Sequence, residues 1–127
     1  MSRRILTFLF LGDVLTLAAA TLIGFATHQE LSTAFMPRML TTFLPLLAGW
    51  FLVAPWLGLF DRRVVLNPRQ LWRAVLAMLL GAPMTGMLRA AWLGSTALPL
   101  FVLILGSSAG ALLLLWRTLF FFWQRRP

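Results

Sequence analysis

Apolar residues occupy four long runs along the chain, and short polar segments separate these runs. Runs of this length predict α-helices at about residues 5–27, 39–60, 70–93 and 97–123, since strands are much shorter and alternate in polarity. At about 1.5 Å of rise per residue, each helix is long enough to cross the roughly 30 Å hydrocarbon core of a bilayer. The pattern therefore predicts an all-α integral membrane bundle of four transmembrane helices, forming one domain over residues 1–127.

Prolines interrupt the second and third runs, at Pro45 and Pro55 in the second and at Pro83 in the third. A proline lacks the backbone N–H and kinks a helix, but neighbouring helices in a membrane bundle can satisfy the carbonyl that it frees. Asn67 and Pro68 form a typical helix cap and first helical position before the third run. We therefore expect each run to form one helix despite its prolines.

Composition supports a lipid environment. Apolar residues make up 61% of the chain, against roughly 45–50% in soluble domains. The formal net charge is +8, from eleven arginines against Asp13, Glu30 and Asp61. The arginines lie between apolar runs rather than in one stripe, so membrane topology and anionic lipid headgroups explain them better than a nucleic-acid partner does. The lack of cysteine excludes disulfides and thiolate chemistry.

The arginines also predict how the chain is threaded. If both termini are cytoplasmic, nine arginines lie inside and only Arg38 and Arg89 lie outside, which is a strong positive-inside bias. Tryptophan and arginine side chains near the cytoplasmic boundary are expected to anchor the helices at the membrane interface. These predicted anchors are Trp56, Arg62, Arg63, Trp72 and Trp123.

Asp13 is a carboxylate well inside the first predicted helix, nine residues beyond Arg4. A charge at this depth costs roughly 2.5–3.5 kcal/mol on insertion scales, so we expect it to be paired. Arg117 lies eight residues before Arg125 in a helix that returns to the same face, so it reaches a similar depth. The spacing predicts a structural Asp13–Arg117 ion pair, with Arg73 as a second candidate and a proton or ion relay as the functional alternative.

Two further features are candidates for binding or packing. His28 could ligate the metal of a chlorophyll-type pigment or haem, although an interfacial polar role near Glu30 fits a lone histidine as well. Small residues let helices approach closely in a membrane. The predicted packing positions are Gly81, Gly86, Gly106 and Gly110, and the partner of the last two is either another helix of the bundle or another protein.

Short motifs occur in a recognisable order: Gly12-Asp13, Gly49-Trp50, Ala54-Pro55, Leu88-Arg89 and Trp116-Arg117. In this order the chain resembles the small four-helix prokaryotic membrane proteins catalogued as domain of unknown function 3054. The resemblance covers nearly the whole chain and implies one compact four-helix domain in a prokaryotic cytoplasmic (inner) membrane. It implies no activity.

Three functions remain open. The sequence favours a non-enzymatic accessory or scaffold subunit that packs with other membrane proteins, because the loops are short and no hydrolase, phosphate-loop or metal motif is present. The alternative is a binder of an apolar cofactor (a carotenoid, bacteriochlorin or quinone) in a photosynthetic or respiratory complex, suggested by His28 and the many aromatic residues. The third is a small transporter or channel, suggested by Asp13.

Overall fold

A computed structural model describes residues 3–27, 36–94 and 99–124, and these residues form an all-α bundle without strands. Within these ranges the chain forms four long helices and one short helix, with 3₁₀ turns at Ala54–Leu57 and Pro68–Gln70. The helices are α1 (Arg3–Thr27), α2 (Met36–Val53), α3 (Arg62–Val65), α4 (Trp72–Leu93) and α5 (Pro99–Gln124). The predicted fold class is confirmed, with the long helices α1, α2, α4 and α5 in the four expected places.

The long helices are arranged in a ring. α1 packs mainly on α2 and α5, and α4 packs mainly on the same two helices. The start of α1 lies beside the end of α5, where the ring centres of Phe8 and Trp123 are 4.9 Å apart. Leu9, Val65 and Phe120 form a small buried cluster at this end, so α3 covers the same end of the bundle.

The second helix is predicted at residues 39–60, and the predicted end of this helix is wrong. α2 stops at Val53 and a 3₁₀ turn follows. Pro55 has no N–H with which to continue the α-helical ladder, and Gly58 adopts a left-handed conformation with φ of 71° that ends the turn. The N–H groups of Gly58 and Leu59 then donate to Pro55 and Ala54 carbonyls at 3.1 Å. The helix therefore ends and the chain turns inside the apolar run, before the run itself ends at residue 60.

The third helix also begins differently from the prediction of residue 70, because Pro68–Gln70 forms a 3₁₀ turn and α4 begins at Trp72. Asn67 does act as a cap, since its side-chain oxygen accepts a hydrogen bond of 3.0 Å from the N–H of Arg69. Asp61 caps α3 in the same way, through the N–H of Arg63 at 3.0 Å. The connection between α2 and α4 is thus a series of capped short turns.

Glycines allow the closest helix crossings. A Cβ atom on Gly49 of α2 would lie 2.6 Å from the carbonyl oxygen of Gly81 in α4, too close for any side chain to be added without movement. On the other face of α4, a Cβ on Gly106 would lie 2.9 Å from the Cβ of Ala82, and Gly110 packs against Met78. The small-residue face of α5 is therefore directed at α4, inside the bundle. Gly86 of α4 is also buried.

Candidate functional site

Two opposite charges occupy positions in the core. Asp13 lies on the buried face of α1, one helical turn after Leu9 and one before Leu17, and its side chain is 0% exposed. Arg117 follows Leu113 by one turn on the buried face of α5 and is 3% exposed. The 3.6-residue period that buries the apolar neighbours therefore brings both charges inside the bundle.

The two side chains meet in a bidentate ion pair. Arg117 donates from Nη2 to Asp13 Oδ2 at 2.6 Å and from Nε to Asp13 Oδ1 at 3.0 Å. The planar guanidinium matches the two carboxylate oxygens, and charge-assisted bonds of this kind are among the stronger hydrogen bonds in proteins. The structure therefore brings together Asp13 and Arg117, which the sequence predicts to lie at the same depth in the membrane.

Trp50 of α2 adds a third helix to the pair. Its indole Nε1–H donates to Asp13 Oδ2 at 3.3 Å, and its side chain is completely buried. The Arg117 guanidinium carbon also lies 5.6 Å from the centre of the Trp50 ring, within the range of a cation–π interaction. One indole thus contacts both members of the ion pair, and α1, α2 and α5 are joined through polar groups.

The third nitrogen of the Arg117 guanidinium, Nη1, contacts the segment after α2. Nη1 donates to the carbonyl oxygen of Leu59, and the guanidinium carbon lies 5.3 Å from the Phe60 ring centre. Because the helix ends before this point, the Leu59 carbonyl is available to a side chain rather than to the α-helical ladder. The turn at Pro55 and Gly58 therefore supplies an acceptor to the ion pair.

Trp116 packs beside Asp13 on the α1–α5 contact. A Cβ atom on Gly12 would overlap the Trp116 indole, so glycine at this position makes room for the ring. The indole Nε1 is buried and has no hydrogen-bond partner among the described residues. Phe8 and Phe120 enclose the indole, with ring centres 5.9 and 5.8 Å away.

Other charged candidates lie apart from this cluster. Arg73 is not the partner of Asp13, because it donates to Gln70 Oε1 at 2.6 Å and to the Leu57 carbonyl at 2.9 Å. Arg89 donates to Thr42 Oγ1 at 3.1 Å and links α4 to α2. Within the described ranges no three His, Cys, Asp or Glu side chains group to hold a metal, and His28 lies outside those ranges.

The predicted interface anchors are all exposed. Trp56 is 89% exposed, and Trp72 and Trp123 are about half exposed. Arg62 and Arg63 are exposed on α3, and Arg73 lies 5.6 Å above the Trp72 ring centre. The sequence pattern did not indicate Trp50 or the Leu59 carbonyl as partners of the ion pair. For Trp50 a signal existed, because it lies in the middle of the predicted run 39–60, whereas membrane tryptophans concentrate at the ends of such runs.

Four segments of the described chain are long and apolar enough to cross a membrane: Arg3–Gly24, Met39–Leu57, Pro68–Trp92 and Val102–Gln124. The fold and its buried ion pair define a multi-pass helical bundle of the membrane-spanning type. The chain belongs to the protein family of unknown function DUF3054, whose match covers residues 10–120 and so includes Asp13, Trp50 and Arg117. No curated protein and no solved structure matches the chain.

Proposed function

We propose that the protein is a non-enzymatic accessory or scaffold subunit of a larger assembly in a prokaryotic cytoplasmic membrane. This proposal rests on the contacts that the two intramembrane charges make with each other and with a third helix. Both oxygens of Asp13 accept bonds from Arg117, and one also accepts from Trp50. A carboxylate held in this way joins helices, and it is poorly placed to take up and release protons or ions as a relay would require.

The outer surface of the bundle supports the same proposal. Large apolar side chains are exposed on each of the four long helices, as shown by Leu15, Leu52, Leu80 and Leu103. Lipid chains or apolar helices of other subunits can cover such surfaces. Between α4 and α5 the surface forms an apolar groove of about 560 Å³, in which Leu79, Pro83 and Leu103 lie. A groove with this lining suits a bulky apolar side chain of a partner helix.

The proposal is tested by the size and composition of the complex that is extracted from native membranes in a mild detergent. We expect the 14.3 kDa chain to co-migrate with other polypeptides at fixed stoichiometry. Leu103→Gln should weaken this association because it places an amide in the groove. Leu15→Gln is the matched control on the exposed face of α1, away from the groove. Extraction of the chain alone would contradict the proposed scaffold role. Equal effects of both substitutions would exclude the groove as the site of association.

A second candidate function is binding of an apolar cofactor such as a carotenoid, bacteriochlorin or quinone. The apolar lining of the α4–α5 groove favours it, since such ligands need mostly hydrophobic walls. Gently purified protein would then carry the ligand at fixed stoichiometry, visible in its absorption spectrum and in an organic extract. Leu103→Gln would reduce the bound amount. A colourless extract without quinone would exclude this candidate.

A further inference from the structure

Exposed arginines form a basic surface at the end of the bundle where α1 begins and α5 ends. We call Arg62, Arg63 and Arg69 the arginine plate. The first two lie on α3, whose Val65 is 4% exposed and packs in the buried cluster with Leu9 and Phe120. Arg69 lies on the 3₁₀ turn that Asn67 caps. The plate is therefore carried by backbone that is capped and anchored in the bundle.

The guanidinium groups of the plate do not take part in the contacts that hold the described helices together. Within the described residues, none of its three guanidinium groups makes a hydrogen bond or an ion pair, and all three side chains are exposed. Arg73 and Arg117 differ, because each donates to a backbone carbonyl. The acidic residue beside the plate is Asp61, whose carboxylate accepts from the N–H of Arg63. The plate thus presents net positive charge to its surroundings.

Tryptophans place the plate at the level of lipid headgroups. Trp56 precedes α3 and is 89% exposed, and Trp72 follows the plate and is 52% exposed. Exposed indoles of membrane proteins concentrate at the boundary between hydrocarbon and headgroups. Guanidinium groups at this level can donate two parallel bonds to a phosphate. We propose that the arginine plate binds the phosphate groups of anionic phospholipids in the leaflet that it faces.

A membrane lipid fits this surface better than a nucleic acid does. The plate is bordered by the exposed indole of Trp56 and by the apolar outer faces of the helices, which suit acyl chains and are unfavourable beside a hydrated polynucleotide. The proposal is independent of the scaffold role, because it concerns lipid and not another protein.

The test measures which lipids stay bound to purified protein. The full chain is reconstituted into nanodiscs of phosphatidylcholine and phosphatidylglycerol in equal amounts, then extracted in mild detergent, and retained lipid is quantified by mass spectrometry. Arg62→Gln/Arg63→Gln removes two charges from the plate. Arg3→Gln/Arg4→Gln removes two exposed charges from the start of α1 and is the charge-matched control. Arg62→Lys/Arg63→Lys keeps the positive charge but removes the planar guanidinium that can donate two parallel bonds to a phosphate.

Wild-type protein should retain phosphatidylglycerol in preference to phosphatidylcholine. Two basic residues near an anionic surface together contribute up to about 30-fold to binding. Because the plate is a cluster bordered by the exposed indoles of Trp56 and Trp72, Arg62→Gln/Arg63→Gln should lower this preference by roughly 10- to 30-fold. The lysine variant should show an intermediate preference, because it keeps the positive charge but loses the paired guanidinium bonds. The α1 control should lose less than the plate variant, because its two arginines lie in the first turn of α1, outside the plate. Three results would overturn the proposal: no lipid preference in the wild type, equal losses in both glutamine variants, or displacement of the lipid by an oligonucleotide or by inorganic phosphate.

Discussion

Asp13 and Arg117 each balance a charge that burial would otherwise leave without solvent or partner, so loss of either one alone is costly to the bundle. The pair does not act alone. Trp50 donates to the carboxylate, and the Leu59 carbonyl accepts from the guanidinium. Four parts of the chain therefore meet at one polar centre: α1, α2, α5 and the turn after α2. Removing any one contact should loosen the others as well, because hydrogen-bonded networks of this kind are coupled.

Trp50→Phe removes the indole N–H and keeps an aromatic ring beside Arg117. We expect the free energy of unfolding in detergent micelles to fall by roughly 1–2 kcal/mol, since a donor to a buried carboxylate is lost. Trp72→Phe is the control, because the Trp72 side chain is 52% exposed and surface changes usually stay within about 0.5 kcal/mol. Equal changes in the two variants would show that the Trp50 hydrogen bond contributes nothing.

At the level of helices, the crossings of α4 with α2 and α5 depend on small residues. Gly49 and Gly81 bring α2 and α4 into backbone contact, and Gly106 meets Ala82 across α4 and α5. Because there is little hydrophobic drive between helices in lipid, close packing of this kind supplies much of their attraction. Close approach of small residues therefore holds α4 against α2 on one side and α5 on the other.

Gly106→Leu should destabilise the bundle, because a Cβ there would already lie 2.9 Å from the Ala82 Cβ and the rest of the side chain has no space. Overpacking typically costs about 1–3 kcal/mol. Ser107→Leu adds a similar side chain on the exposed face of the same helix and serves as the control. Thermal unfolding in detergent would compare the two, and an unchanged melting temperature for Gly106→Leu would refute the packing role.

The helices were predictable, but parts of the site were not. Long apolar runs predict α1, α2, α4 and α5, and counting residues from Arg4 and Arg125 places Asp13 and Arg117 at one depth. The end of α2 could not be read from hydropathy, because the apolar run continues through the turn to Phe60. The Leu59 carbonyl is a backbone acceptor, so no side-chain pattern marks it. Its availability depends on the turn that Pro55 and Gly58 impose.

For the whole molecule, charge is distributed unevenly between the two ends of the bundle. Arg3 and Arg4 begin α1, and the arginine plate lies at the same end, while Arg89 lies near the far end of α4. Anionic lipid and the membrane potential both favour arginine on the cytoplasmic side. We therefore propose that the end bearing the plate is cytoplasmic, which places both termini inside.

Reporter fusions test this orientation. A reporter fused after Pro127 should report the cytoplasm. One inserted near Ser32 should report the opposite side, because α1 separates residue 32 from the end of the bundle that we propose to be cytoplasmic. As a control, a reporter in the connection at Asn67 should agree with the fusion at Pro127. The same side for Ser32 and Pro127 would contradict the four-span topology.

We expect Asp13 and Arg117 to act as one structural unit, and a double-mutant cycle measures their coupling directly. Asp13→Asn and Arg117→Leu should each lower the free energy of unfolding in mixed micelles by roughly 3–5 kcal/mol, since each leaves a buried charge without its partner. The double variant should cost less than the two single losses added together, by more than about 1 kcal/mol. Asp61→Asn with Arg62→Leu is the exposed control cycle, and its coupling should be near zero. Additive losses at Asp13 and Arg117 would contradict this expectation and favour the proton-relay alternative.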